Sequence, residues 1–474
     1  MLRILLIFHR YTAVTVGLLM ALWCLSGFVM LYQQYPELTD AERLRGLSPL
    51  QLQGCCRAEF LPGDGEGEVG DWRIEMLRGA PVLREHGSPA FELTTGTPLR
   101  TPARQDLLAI AATHAANRGI ASQPRWLGDT AVDQWTLLAA RRDQSIARVA
   151  LDDGAGTELY LDRATGEVFQ DTTRRERILA WLGAIPHWLY PIALRRNGPV
   201  WAQIVIWTSV LGTFLTLTGL YVGISRLQRR KGDGALASPF RGWWYWHHLA
   251  GLVFGVLTLT WVFSGLLTMN PWGLLEGSDV ASQVVPRLSG SAPVAELRRF
   301  LHEAPPKLAE GEFVRLRSQP FAGHLYVLAE RADGSSLRVD AAGQPAPLRE
   351  SDLRAALSGV ETGLDDLRLL RQEDAYYYSH KQKQELPVWR AILKDAQRTR
   401  IYISPTTAEF RIVDGDARAM RWLERGLHGL DFSGLRVRPL WDIVLIVLLL
   451  GVTGVCITGS WMALQRIRRD LSRS

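Results

Sequence analysis

The 474-residue sequence predicts a bundle of four transmembrane helices carrying two periplasmic α+β modules, built as an internal two-fold repeat. Three observations predict it. Apolar runs at about 11–32, 201–224, 249–269 and 441–462 each reach the ~20 residues a bilayer crossing takes. Basic residues flank these runs on one side of the predicted membrane. Matching segments recur at a nearly constant spacing along the chain.

Composition supports spans alternating with polar domains: 47% of residues are hydrophobic and 22% charged, and the net charge is +6. The basic excess clusters next to apolar runs and excludes nucleic acid as the expected partner; the bilayer takes that role. Four cysteines do not make a disulfide framework. The first run is longer than the apolar region of a signal peptide and no small-x-small site follows it, so it is read as a span.

Orientation follows from the flanks. S-R-L-Q-R-R-K at 225–231, Q-R-I-R-R-D-L-S-R-S at 465–474, Arg3 and Arg10 all fall on one face, which is expected to be cytoplasmic. The chain then divides into a first span (1–34), a first outer module (35–180), a histidine-bearing segment with the second span (181–224) and a cytoplasmic loop (225–246). A third span (247–270), a second outer module (271–421), a histidine-bearing segment with the fourth span (422–464) and a cytoplasmic tail (465–474) follow. Both termini are cytoplasmic in this scheme.

The repeat is read from matched letters. L-W-C-L-S-G-F at 22–28 lies over T-W-V-F-S-G-L at 260–266, and the same offset of 238 places His9 on His247. G-P-V-W at 198–201 lies over R-P-L-W at 438–441, and Thr218-Gly219 over Thr458-Gly459, an offset of 240. W-L-G-A-I-P-H at 181–187 lies over W-L-E-R-G-L-H at 422–428. In the outer segments, 158–168 resembles 400–410 and 91–99 resembles 338–346, each as strand, turn, strand. Helical patterns occupy 105–117 and 294–302.

Five of the ten histidines stand at span ends: His9, His187, His247, His248 and His428. The repeat gives one pair at each face, His9 with His247 and His187 with His428. Paired imidazoles from facing helices suit a bis-histidine haem, whose iron needs two axial ligands on opposite sides of a flat ring. Gly17, Gly27, Gly251, Gly255 and Gly265 would leave room for it. His248 stands about 100° round the helix from His247 and is the alternative ligand there. A belt of interfacial side chains copied by duplication is the competing reading of the four. His86, His114, His302, His324 and His380 scatter through the outer modules as surface or core residues.

Other features carry weaker signals. Trp243, Trp244 and Trp246 form an interfacial aromatic belt. Cys24 and Cys456 read as packing residues. Cys55-Cys56 reads as a plain pair, with a vicinal disulfide or metal binding as alternatives. Asp442 reads as a partner of its own helix start. The aromatic and basic stretch at 376–384 reads as an exposed strand and loop, with an anionic ligand as the alternative.

H-R-Y-x14-S-G in span one, W-H-H-L-A-G-L at 246–252, Y-I-S-P-T-T-A-E at 402–409 and R-W-L-E-R-G-L-H-G-L-D-F at 421–432, followed by P-L-W-D, resemble the PepSY-associated transmembrane helix family. The resemblance spans essentially the whole chain. It implies PepSY-like outer modules and an iron-regulated inner-membrane protein similar to ferric-siderophore reductases with two b-type haems. His9, His247, His187 and His428 would be the axial ligands. One departure is A-I-P-H at 184–187, where Pro186 alters the backbone before His187. Some relatives carry a flavin and nicotinamide domain, and no such domain or G-x-G-x-x-G appears before Ser474. The donor is therefore expected to be a cytoplasmic flavoprotein reductase or membrane quinol, and the acceptor a periplasmic ferric siderophore. The alternative is a membrane-anchored PepSY module that binds or inhibits a periplasmic peptidase without redox activity. A third reading is a component of a haem or metal carrier.

Overall fold

The computed structural model describes residues 2–61, 67–85, 89–230, 234–275, 277, 279–308, 311–379 and 384–472. His86, His380 and the basic residues 231 and 381 lie outside these. The chain forms two compact units. One comprises Met1–Tyr35, Arg175–Glu276 and Ala417–Ser474; the other comprises Pro36–Arg174 and Gly277–Asp416.

The first unit holds four long helices, Leu2–Met30, Gly198–Ser225, Trp243–Leu267 and Leu440–Leu471. Each is long and apolar enough to cross a membrane. The first starts nine residues before the apolar run read from the sequence, because L-R-I-L-L-I-F is itself a good helix former. His9 thus lies inside the helix. The second is capped by Asn197, whose side chain accepts from Val200 N, with Pro199 in the first turn.

The helices form a ring in which each touches the next and the fourth closes on the first. Small residues set the crossings. A Cβ at Gly451 would fall 2.3 Å from Phe254 Cζ, and one at Gly255 2.5 Å from Leu220 Cδ2. Gly17 admits Ser460, whose hydroxyl donates to Ala13 O at 3.0 Å. Leu18, Val253 and Leu450 remain exposed on the outside of the ring, as a lipid-facing surface requires. Arg10 and Asp470 pair at 3.7 Å, placing the start of the first helix beside the end of the fourth.

In the first segment of the second unit four strands (Trp72–Leu77, Ala80–Glu85, Phe91–Glu92, Thr97–Pro98) precede the helix Arg104–Asn117 and a four-stranded meander (Arg125–Thr130, Ile146–Ala150, Glu158–Asp162, Val168–Thr172). Strands Arg315–Ser318, Tyr326–Glu330 and Ser336–Asp340 precede the helix Glu350–Ser358 and a meander of Leu364–Leu370, Val388–Leu393, Arg400–Ile403 and Phe410–Val413. The two segments, expected as separate modules, share one seven-stranded antiparallel sheet: Arg315 to Arg317 pair with Glu75 to Arg73. Edge strands that would otherwise be open are closed by this pairing.

Three cores result. Helix Val294–Glu303 sits on the shared sheet, with Phe300 fully buried against Trp72. Leu107, Ala111 and Ala115 pack on the first meander, and Leu353 and Leu357 on the second. Phe300→Ala is expected to cost about 3–5 kcal/mol, measured by chemical denaturation of the full-length protein.

His114, also on the Arg104–Asn117 helix, is 4% exposed. Burial first, then the charges of Arg118 and Arg43, push it down to about 4. The folded state therefore resists protonation that the unfolded chain accepts below its ordinary 6.5. Stability should be complete above that value and fall as pH drops towards 4, by about 3 kcal/mol. Denaturation midpoints across this window should flatten in His114→Gln.

Candidate functional site

The first unit collects the four histidines of interest. After helix Arg174–Leu182 the chain bends at Gly183 into the short helix Ala184–His187. A Cβ at Gly183 would fall 2.8 Å from Val29 Cγ1, so glycine lets this helix rest on the first long helix. In the other half Arg421–His428 winds as a π-helical stretch against the third long helix. Both segments then reverse through a leucine with positive φ, Leu189 at 51° and Leu430 at 48°. An indole pins each reversal: Trp201 Nε1 donates to Trp188 O at 3.1 Å, and Trp441 Nε1 donates to Gly429 O at 2.9 Å.

This framing fixes the outer pair. His187 Nδ1 lies 3.1 Å from Trp23 O and 3.1 Å from Ser26 Oγ. His428 Nδ1 lies 3.2 Å from Trp261 O and 3.1 Å from Ser264 Oγ. A carbonyl oxygen only accepts, so Nδ1 carries the proton in both rings and Nε2 keeps its lone pair. Neither Nε2 has a hydrogen-bond partner among the described residues. The ring centroids are 6.2 Å apart with planes at 76°. Burial, followed by the neighbouring His428, pushes His187 down to about 4, and burial lowers His428. Pro186 does not disturb the arrangement, since His187 makes the same two contacts as His428.

The inner pair is held by the second and fourth long helices. His9 Nδ1 lies 3.0 Å from Leu215 O and 3.3 Å from Thr218 Oγ1. His247 Nδ1 lies 3.0 Å from Thr458 Oγ1, whose own proton goes to Gly454 O at 2.6 Å. Thr458 therefore accepts, and His247 too keeps its lone pair on Nε2. Gly219 and Gly459 make room for the rings: a Cβ would fall 2.7 Å from His9 Cε1 and 2.8 Å from His247 Cε1. His9 and His247 are electrostatic neighbours.

His248 differs. Its Nε2 donates to Gly223 O at 2.7 Å and its Nδ1 accepts from Ser238 Oγ at 2.8 Å. Both ring nitrogens are used inside the protein, so the lone pair that a metal needs is spent.

Of the glycines singled out, Gly27 and Gly265 lie beside the outer pair, where a Cβ would come 3.8 Å from the Cε1 of His187 and of His428. Gly17 and Gly255 serve helix crossings, and Gly251 has nothing within 4 Å. Trp23, Ser26, Thr218, Gly219 and their counterparts Trp261, Ser264, Thr458 and Gly459 were visible only as matched letters, not as partners of the histidines.

The remaining candidates are placed elsewhere. Cys24 and Cys456 lie within hydrogen-bonding reach of each other. Cys55 and Cys56 form a disulfide. Asp442 pairs with Arg438 at 3.6 Å, one turn before it. In the 376–384 stretch Tyr378 is buried and Tyr377 stacks on Tyr402, whose hydroxyl donates to Asp374. His324 pairs with Glu296 at 3.0 Å on the surface. No group of three or more His, Cys, Asp or Glu that could hold a metal ion occurs among the described residues.

These features define a membrane protein with four bundled spans, paired buried histidines and α+β modules. A sequence profile described as the PepSY-associated TM region matches residues 6–466, and the chain belongs to that family. A search of curated proteins finds no match to it.

Proposed function

We propose that this protein carries electrons across a bacterial inner membrane to ferric iron held by a siderophore. His9 with His247 and His187 with His428 would hold two b-type haems. The observation that carries the reading is the outer pair. Its two buried imidazoles each keep an unspent Nε2 lone pair, and their rings lie close enough for one group to be held by both. The ring centroids are 6.2 Å apart. Bound between such a pair, haem supplies reversible one-electron transfer.

The chain's own residues orient and tune. The carbonyls of Trp23, Trp261 and Leu215 and the Thr458 hydroxyl hold each Nδ1 proton, which fixes ring orientation and raises the basicity of Nε2. Ser26 and Ser264 add a second polar contact at the outer pair. His248 ties the third helix to Gly223 and takes no part as a ligand.

Both histidine pairs are set by contacts that recur 238–241 residues apart, which supports an internal duplication. Arg3, Arg10, Arg226, Arg466 and Arg468 gather at one end of the bundle and support a cytoplasmic assignment for that end. The two long segments would then be periplasmic. A cytoplasmic flavoprotein reductase or membrane quinol would serve the inner end. At the outer end, one electron lowers iron from Fe³⁺ to Fe²⁺ and weakens its attraction to hard oxygen ligands, which releases it.

The test is anaerobic mixing of the reduced full-length protein with a ferric trihydroxamate siderophore and an Fe²⁺ indicator. Reoxidation of the protein with matching Fe²⁺ release is expected. A reduced spectrum that persists with ferric trihydroxamate and ferric catecholate alike would sink the reading.

A further inference from the structure

The second unit contains a cavity of about 410 Å³, within the range of small-molecule sites. It lies among helix Asp40–Gly46, the hairpin Trp72–Leu77 and Ala80–Glu85, and helix Arg104–Asn117. None of the four histidines discussed above lines it.

Its charges do not balance. Glu75 and Glu167 are both taken by two arginines. Arg43 Nη2 lies 2.6 Å from Glu167 and 3.3 Å from Glu75. Arg73 pairs with both carboxylates as well. Arg84 is left over. It is 8% exposed, its Nε stands 3.8 Å from Glu75 Oε2, and its one hydrogen bond goes from Nη2 to Thr165 O at 3.0 Å. Among the described residues Arg84 Nε and Nη1, both fully buried atoms, have no hydrogen-bond partner. Arg78, also in the wall, is matched by Asp106. Counted over Arg43, Arg73, Arg84, Glu75 and Glu167 the cluster holds one surplus positive charge, with Asp40, itself paired to Arg315, acting on Arg43 from outside it, and burying such a charge is costly.

A second unspent group lines the same cavity. His114 is 4% exposed and its Nε2 has no partner among the described residues. Its ring occupies space that Gly46 leaves, where a Cβ would fall 2.0 Å from His114 Cε1. Burial keeps this imidazole neutral, so one ring nitrogen can donate. The rest of the wall is apolar, with Leu47, Met76, Leu77, Ile110 and Val168.

One surplus charge, unspent donors on Arg84 and His114, and an apolar wall describe a receptor for an amphiphilic monoanion. We propose that this cavity binds a small organic monocarboxylate, its carboxylate on Arg84 and His114 and its body against Met76, Ile110 and Val168. The single surplus charge matches a monocarboxylate better than inorganic phosphate, which is more highly charged near pH 7 and has no apolar part.

The test is ligand-observed NMR with hexanoate on the purified full-length protein, with 1-hexanol and inorganic phosphate as competitors. Hexanoate should bind the wild type and resist both competitors. Binding should weaken at least about tenfold in Arg84→Gln, as expected for loss of a charged hydrogen bond. Thr113→Trp provides a variant that keeps every charge: Thr113 is exposed and lines the cavity, and an indole there should block hexanoate. Absence of hexanoate binding, equal binding by wild type and both variants, or displacement by phosphate as effective as by hexanoate itself would overturn the proposal.

Discussion

Alanine at His428 is expected to lower the haem content from about two per chain to about one, and alanine at His187 should do the same. Each removes one of the two imidazoles that would hold the outer haem, and one imidazole alone would not retain it. The surviving signal should belong to the pair His9 and His247. The double variant His187→Ala/His428→Ala should look like either single variant, because the two residues act as one unit. Ser264→Ala provides the contrast. It removes one contact to His428 Nδ1 but leaves the Trp261 carbonyl in place. Haem should be retained there, with a shifted reduction potential. Spectra of the reduced proteins and haem-to-protein ratios read out all four.

Valine at Gly459 or Gly219 is expected to remove the other haem while sparing the outer one. A Cβ already falls 2.8 Å from His247 Cε1 at Gly459, and 2.7 Å from His9 Cε1 at Gly219. Two further methyl groups must displace the ring, because the clash arises on a helix backbone that its neighbours hold in place. The displaced imidazole loses its bond to Thr458 or to Leu215 O, and with it the orientation of Nε2. Retention of the outer haem spectrum in these variants would report that the bundle is still folded.

Much of the bundle was legible in the sequence. A bilayer fixes helix length and polarity, so hydropathy alone found four spans. The histidines were found because an ionisable group at a span end stands out, and their pairing followed from matched spacing. Their supporting residues were present in the same matches, in W-C-L-S-G and T-G, but letters carry no direction. Only the packed helices show that Ser26 meets His187 and that Gly219 meets His9. The contacts of His248 were likewise invisible, since they are made to Ser238 and the Gly223 carbonyl.

The outer unit was harder to read. Its strands and helices carry local signals, and the helix expected at 105–117 forms as Arg104–Asn117. The joining of Arg315–Ser318 to Trp72–Leu77 has no local signal, because sheet register is settled by partners far along the chain. The cavity was hidden for a related reason. W-R-I-E-M-L alternates apolar and polar residues, which reads as a strand with one wet face. Glu75 is nevertheless 4% exposed, because three arginines from other elements and from its own strand surround it.

The most direct measurement of the central claim is an absorption spectrum of the purified full-length protein, oxidised and dithionite-reduced, with a quantified haem-to-protein ratio. A sharp reduced b-type spectrum and about two haems per chain, one for each histidine pair, are expected. A colourless preparation from haem-replete cells would contradict that claim, and the four histidines would then be buried polar residues that tie the bundle together.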